Sequence, residues 1–181
     1  GSCVIEKGFE SVTIGAVEKH ITETAFENGW VQPPQPVAER SESVGIIGAG
    51  PAGLAAADML RQQGYPVTIY DRYDRVGGLL IYGIPGFKLE KHVVERRHKL
   101  LADGGVTFQL NVNIGTDRSF EDVRAAHDAV LIATGVYKAR DISVPGVGLG
   151  GVVPALDYLT ASNRKSLGDE VAAFESGELN A

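Results

Sequence analysis

The sequence holds a single cysteine, Cys3, so no disulfide can form within the chain, which suits a reducing, cytoplasmic compartment. No apolar run approaches the roughly 20 residues that a membrane-crossing helix needs, and no membrane partner is expected. Basic residues are also short. The chain has 17 Lys and Arg against 23 Asp and Glu, a net charge of −6, the wrong sign for a nucleic-acid-binding surface. The four histidines, His20, His92, His98 and His127, have no metal-ligand spacing. His92 and His98 lie six apart on one expected helix and do not share a face, so all four are read as solvated. There is no nucleophile elbow and no pair of acids placed for acid–base work, so no catalytic residue is assigned.

Glycine is abundant, at 23 residues, and 44% of the 181 residues are hydrophobic, enough for one substantial core. Along the chain, Ile14, Val17, Ile21 and Ala25 recur at helical spacing within residues 11–29, and Gly29 ends that stretch. The run Gln32-Pro33-Pro34-Gln35-Pro36 cannot be helix or central strand and reads as a linker. Residues 1–36 are therefore expected to be a helical appendage with its linker, 37–153 the main domain and 154–181 a tail. Trp30, beside Val31, is expected to pack where the appendage meets the main domain.

From Val44 onward strands alternate with helices. Val44–Gly48 is a short apolar run, as in a strand buried on both faces; Pro66–Tyr70 reads as a second apolar strand, Val106–Leu110 as a third strand and Ala129–Ala133 as a fourth, buried one. Helices are expected over Pro51–Gln63, Leu89–Asp103 and from an N-cap at Ser119 to His127, and a glycine-rich loop from Tyr70 to Gly86. This order predicts an α/β fold, a Rossmann-like parallel sheet with right-handed crossovers and helices on both faces. The charged run Glu95-Arg96-Arg97-His98-Lys99 reads as an exposed helix face. The tail holds a helix-like stretch, Ala155–Ser162, and reads as a surface segment.

Gly48-Ala49-Gly50-Pro51-Ala52-Gly53 fits G-x-G-x-x-G between a strand and a helix, the context that makes the pattern informative. Gly48 permits the tight turn, Gly50 lets a pyrophosphate approach the backbone, and Gly53 lets helix and strand pack closely. The helix N-terminus offers free N–H groups to the phosphates. Asp71 ends the second strand, where a carboxylate can accept hydrogen bonds from the ribose hydroxyls of FAD or NAD and would repel a 2′-phosphate. Gly77-Gly78 suggests a backbone pressed against a ligand or a sharp turn, and Ala133-Thr134-Gly135 falls at a strand's carboxyl end, where ligands bind in such sheets. No second G-x-G-x-x-G fingerprint is expected in residues 136–181. On these grounds an FAD-binding unit, a single-domain NAD-dependent dehydrogenase and a non-catalytic docking module all remain open.

Three strings carry a resemblance: Val44-Gly45-Ile46-Ile47-Gly48-Ala49-Gly50-Pro51-Ala52-Gly53-Leu54, Tyr70-Asp71-Arg72-Tyr73-Asp74-Arg75-Val76-Gly77-Gly78-Leu79-Leu80, and Tyr82-Gly83-Ile84-Pro85-Gly86-Phe87-Lys88-Leu89. They closely resemble the small (beta) subunit of NADPH-dependent glutamate synthase, and more distantly the NADPH-reducing segment of dihydropyrimidine dehydrogenase. The resemblance continues through Ala133–Arg140 and Leu156–Leu159. It implies an FAD-binding flavoprotein unit of the glutathione-reductase type. In the intact protein of that family, electrons pass from NADPH through FAD to iron–sulfur clusters and on to the large subunit, where glutamate is made. By the same resemblance Gly48, Gly50, Pro51, Ala52 and Gly53 match the phosphate loop and Asp71 the ribose acid. Gly78 and Leu79 match backbone contacts to the cofactor, Lys88 a basic residue of the flavin site, and Ile114 a position at the adenine end. Ala133, Thr134 and Gly135 match the strand-end motif. Cys3 looks like the last iron–sulfur ligand of a cysteine-rich region. One thiolate cannot hold a cluster, so neither clusters nor NADPH are expected on this excerpt, which the resemblance makes the first part of the subunit.

Overall fold

A computed structural model describes residues 7, 8, 10–138, 140 and 142–179; Cys3 lies outside the described residues. The chain divides into two compact units, residues 1–33 and 34–181.

In the first unit the expected helix forms as α1, Ile14–Glu27. Gly29 adopts a φ of +67° just past its end, and the Trp30 N–H turns back onto the Ala25 carbonyl at 2.9 Å. The apolar stripe is present but gains no cover within this unit: Ile14, Val17 and Ile21 are exposed, as is Trp30.

The second unit is a four-stranded parallel sheet. In chain order its elements are β1 Val44–Ile47, α2 Pro51–Gln62, β2 Val67–Tyr70, α3 Leu79–Tyr82, α4 Lys91–Asp103, β3 Thr107–Gln109, α5 Phe120–Ala126, β4 Ala129–Ile132, α6 Ala155–Ser166 and α7 Ala172–Glu175. The strands lie in the order β3-β2-β1-β4, all parallel, with Val44 opposite both Val67 and Ala129, and Thr68 opposite Thr107. Central β1 and β2 supply Ile46 and Ile69, fully buried against Leu54 and Ala57 of α2 and Leu101 of α4. The opposite face of β1 carries Gly45, where a side chain would run into the His127 ring just beyond α5. Helices thus cover both faces, as the alternation of elements predicts.

Four readings are corrected. β4 is not buried on both faces: it lies at the sheet edge, with Leu131 40% and Ile132 63% exposed. An apolar run marks a strand but does not say whether a neighbour covers it. The stretch between Tyr70 and Gly86 is not all loop, because Leu79–Tyr82 forms the single-turn α3, burying Ile81 and Tyr82 beside Val94 of α4. α6 runs on to Ser166, and the tail is more than a surface segment: Asn163 is buried, and Leu167 packs against the Ile81–Tyr82–Val94 cluster. His98 and His127 are not simply solvated. His98 stands edge-on to Phe108, ring centroids 4.5 Å apart, and His127 Nε2 lies 2.9 Å from the Tyr70 hydroxyl. Other expectations hold locally. Ser119 caps α5, its hydroxyl accepting the Asp122 N–H at 3.0 Å.

Candidate functional site

The turn from β1 to α2 is built by backbone geometry. Gly48 adopts φ +113°, and a β-carbon there would strike the carbonyl of Ala133 at the end of β4. At Gly53 a β-carbon would overlap the Gly48 carbonyl and crowd Ile46, so this glycine is what lets α2 sit on β1. Gly50 is different: nothing lies within 4 Å of where its side chain would be. Two of the three glycines are therefore demanded by the protein's own atoms, while the third faces open space. Pro51 and Ala52, both exposed, form the start of α2 directly after it. Such a cradle has the form a pyrophosphate would fill.

Asp71 follows β2, and its carboxylate is held rather than free. One oxygen accepts the Ala49 N–H at 2.6 Å, inside the glycine turn, and the other accepts the Tyr73 N–H at 2.9 Å. A carboxylate offers about four acceptor positions, so capacity remains for two hydroxyls. Its neighbours form a cleft of about 370 Å³ at the carboxyl ends of β1, β2 and β4, whose walls include Gly48, Asp71, Ile114, Thr134 and Gly135.

The structure thus brings these five positions together. It sets Gly78, at φ +54°, against the glycine turn, with a hypothetical side chain 2.9 Å from the Gly50 Cα, and places Leu79 directly after it as the first residue of α3. Ala133 joins through its N–H to the Ile47 carbonyl at 2.8 Å. Lys88 lies outside the cleft, exposed, with its ammonium 5.9 Å from the Phe87 ring centre.

Sequence reasoning did not single out three side chains of the cleft as site residues, Arg72, Tyr73 and Tyr137. The Arg72 guanidinium lies 4.4 Å from the Tyr137 ring centre and 4.9 Å from that of Tyr73, fixing a cation at the rim. Burial, with Tyr73 alongside, raises the Tyr137 hydroxyl above its ordinary pKa and keeps it neutral. Nothing in the local sequence marks these contacts, because Tyr73 and Tyr137 come from different strand ends.

Behind the cleft, Arg75 makes a two-pronged ion pair with Asp169, at 2.6 and 2.7 Å. That pair holds the Asp169 carboxyl below the usual range and the Arg75 guanidinium above its own. Burial, together with a short hydrogen bond to Asp74, pushes the Tyr82 hydroxyl up to about 12.

The spacing G-x-G-x-x-G does occur a second time, at Gly146-Val147-Gly148-Leu149-Gly150-Gly151, contrary to expectation. These residues lie in turns, with neither a strand before them nor a helix opening on them, so they lack the structural context of the fingerprint.

Parallel sheet, glycine turn and strand-end acid define the Rossmann-like class of α/β proteins. Within it, residues 42–172 match the family described as pyridine nucleotide-disulphide oxidoreductase, and the chain belongs to that family. It is 70% identical over 172 residues to a putative glutamate synthase [NADPH] small chain of Cereibacter sphaeroides, covering 94% of this chain and 42% of that protein. It is 64% identical over 182 residues to the glutamate synthase [NADPH] small chain of Azospirillum brasilense, covering 100% of this chain and 38% of that one. The chain thus spans about two fifths of the length of these relatives. Mycobacterium tuberculosis FprA, solved in complex with NADPH, shares the fold at a TM-score of 0.62 and 24% identity, over 68% of this chain and 29% of FprA. No helix among the described residues is long and apolar enough to cross a membrane.

Proposed function

We propose that this chain is the FAD-binding part of a glutamate synthase small chain, an NADPH-dependent flavoprotein oxidoreductase. The observation that carries the reading is the 64% identity along the whole chain to the Azospirillum small chain, since a glycine turn and an acid alone would suit any dinucleotide. The site residues fit the group. The open space at Gly50 suits the pyrophosphate, and Asp71 has acceptor capacity for the ribose. The cleft between Asp71, Ile114 and Gly135 suits the adenosine end, and Ala133, Thr134 and Gly78 border the same turn. Bound FAD would supply hydride and single-electron chemistry, while this chain's residues bind and orient it. In the longer protein, NADPH would be the donor, iron–sulfur clusters the onward carriers with Cys3 among their ligands, and the large subunit the partner in the cytoplasm.

The test is direct. The purified protein is dialysed against FAD and passed over a desalting column, and its visible spectrum is recorded. A retained flavin spectrum at one equivalent supports the reading. Retention of NAD in preference to FAD under the same conditions would select the single-domain dehydrogenase instead.

A further inference from the structure

We infer that α6 and Asp169 position the glycine pair Gly77-Gly78 against the dinucleotide turn, so that cofactor binding and the docking of α6 are coupled. α6 contributes none of the residues lining the cleft. It is nonetheless fastened at several points to the segment that does reach the turn. Asn163 is 2% exposed and donates from one amide nitrogen to the carbonyls of Tyr82 and Leu159, both at 2.9 Å. Asp169, just past the end of α6, grips Arg75 with both oxygens. Arg164 spans Asp169 and Asp74, at 3.2 Å each, and its guanidinium lies 4.8 Å from the Tyr82 ring centre.

The path from Asp169 to the turn is short. Arg75 is followed by Val76, which is buried in the main core, and then by Gly77. The Gly77 N–H donates to the Ala49 carbonyl at 2.9 Å, in the middle of the fingerprint. A side chain at Gly77 would come within 2.5 Å of Val94, and Val94 belongs to the cluster on which Leu167 packs. The ion pair, two residues along the chain, and the apolar cluster, through Val94, therefore both bear on Gly77. Gly78 then closes on Gly50, the one glycine of the fingerprint with open space before it. Loosening α6 frees Arg75 and Tyr82 together, and with them the wall behind Gly50. By linkage, a ligand that orders that wall must tighten α6 to the same degree.

The inference takes FAD as the ligand from the proposed function, and the experiment keeps the two separable. Hydrogen exchange is followed at the Gly77 amide and along α6 in the wild-type protein and in Asp169→Asn, each with and without FAD, and FAD affinity is measured by flavin fluorescence. The expected results are faster exchange at Gly77 in ligand-free Asp169→Asn and about ten-fold weaker FAD binding, within the usual span of coupling between sites. In the wild-type protein FAD should slow exchange in α6. Asp169→Glu, which keeps the carboxylate, should restore affinity, which a general loss of packing would not explain. If Asp169→Asn does not fold, Asn163→Ala carries the same comparison. Unchanged exchange at Gly77 overturns the inference whatever FAD does. Faster exchange at Gly77 in Asp169→Asn with a wild-type protein that binds no FAD supports the positioning by α6 and overturns the FAD reading, whereas faster exchange with unchanged FAD affinity overturns the coupling.

Discussion

At the scale of single residues, the three fingerprint glycines separate into two kinds, and they should respond differently to one added methyl group. Gly53→Ala drives a β-carbon into the Gly48 carbonyl, which cannot move without shifting β1 or α2. It should cost about 1–3 kcal/mol of stability, the range for overpacking. Gly50→Ala meets nothing within 4 Å, and at φ −76° and ψ −177° the backbone suits alanine. Its melting temperature should match the wild type while FAD binding weakens at least ten-fold. Equal losses of stability in both variants would show that Gly50 is a packing position. Asp71 combines both kinds of role. Its carboxylate satisfies the Ala49 and Tyr73 N–H groups before any ligand arrives. Asp71→Ala should therefore lower ligand-free stability by about 1–3 kcal/mol, the cost of orphaned donors, as well as weakening FAD binding. A variant that loses affinity alone, with an unchanged urea midpoint, would contradict this.

At the scale of elements, two histidines tie helices to the sheet and make stability depend on pH. His98 projects from α4 onto Phe108 of β3, and burial holds it below its ordinary value of 6.5. His127, between α5 and β4, is held below 6.5 by burial and then by the Arg118 cation, with Asp128 opposing. Both folded values are depressed, so the fold favours the neutral rings. Their contribution is complete above about pH 6.5 and is lost as pH falls from there through the folded values. Urea midpoints should drop between pH 7 and pH 5, and the drop should shrink in His98→Leu; a slope unaffected by that substitution would rule out the His98 contribution. These contacts also show what the sequence could reveal at this scale. Strand and helix order was legible because apolar period changes from element to element, and Ser119 announced its cap. The two histidines were not legible: Phe108, Tyr70 and Ser43 lie 10, 57 and 84 positions from them, and no local period encodes such pairings. α3 was hidden for a related reason. Its four residues sit between glycines, and two of them, Ile81 and Tyr82, are buried beside Val94 of α4 with Leu167 packed alongside, a partner far along the chain.

At the scale of the whole molecule, the tight turn at Gly48 and Gly53 was legible because backbone constraint leaves a residue signature: a positive φ or a blocked β-carbon demands glycine. The aromatic rim of Arg72, Tyr73 and Tyr137, and the Arg75–Asp169 fastening, joins parts of the chain that only the fold brings together. Among the described residues, one fingerprint stands in strand–turn–helix context, and the second occurrence of its spacing, Gly146–Gly151, lies in turns with no element to orient a phosphate. If FAD takes the first, the described residues offer no matching cradle for NADPH. Donor and acceptor would then meet only by collision, forgoing the roughly 7–11 kcal/mol that fixed orientation can remove from a barrier. The 181-residue chain supplied with FAD, NADPH and an artificial electron acceptor should therefore oxidise NADPH at a small fraction of the rate of a full-length small chain. The two are compared at equal flavin content, so that weak FAD retention is not mistaken for slow hydride transfer. Turnover matching the full-length protein would mean that the site is misassigned and that this single domain is a complete dehydrogenase.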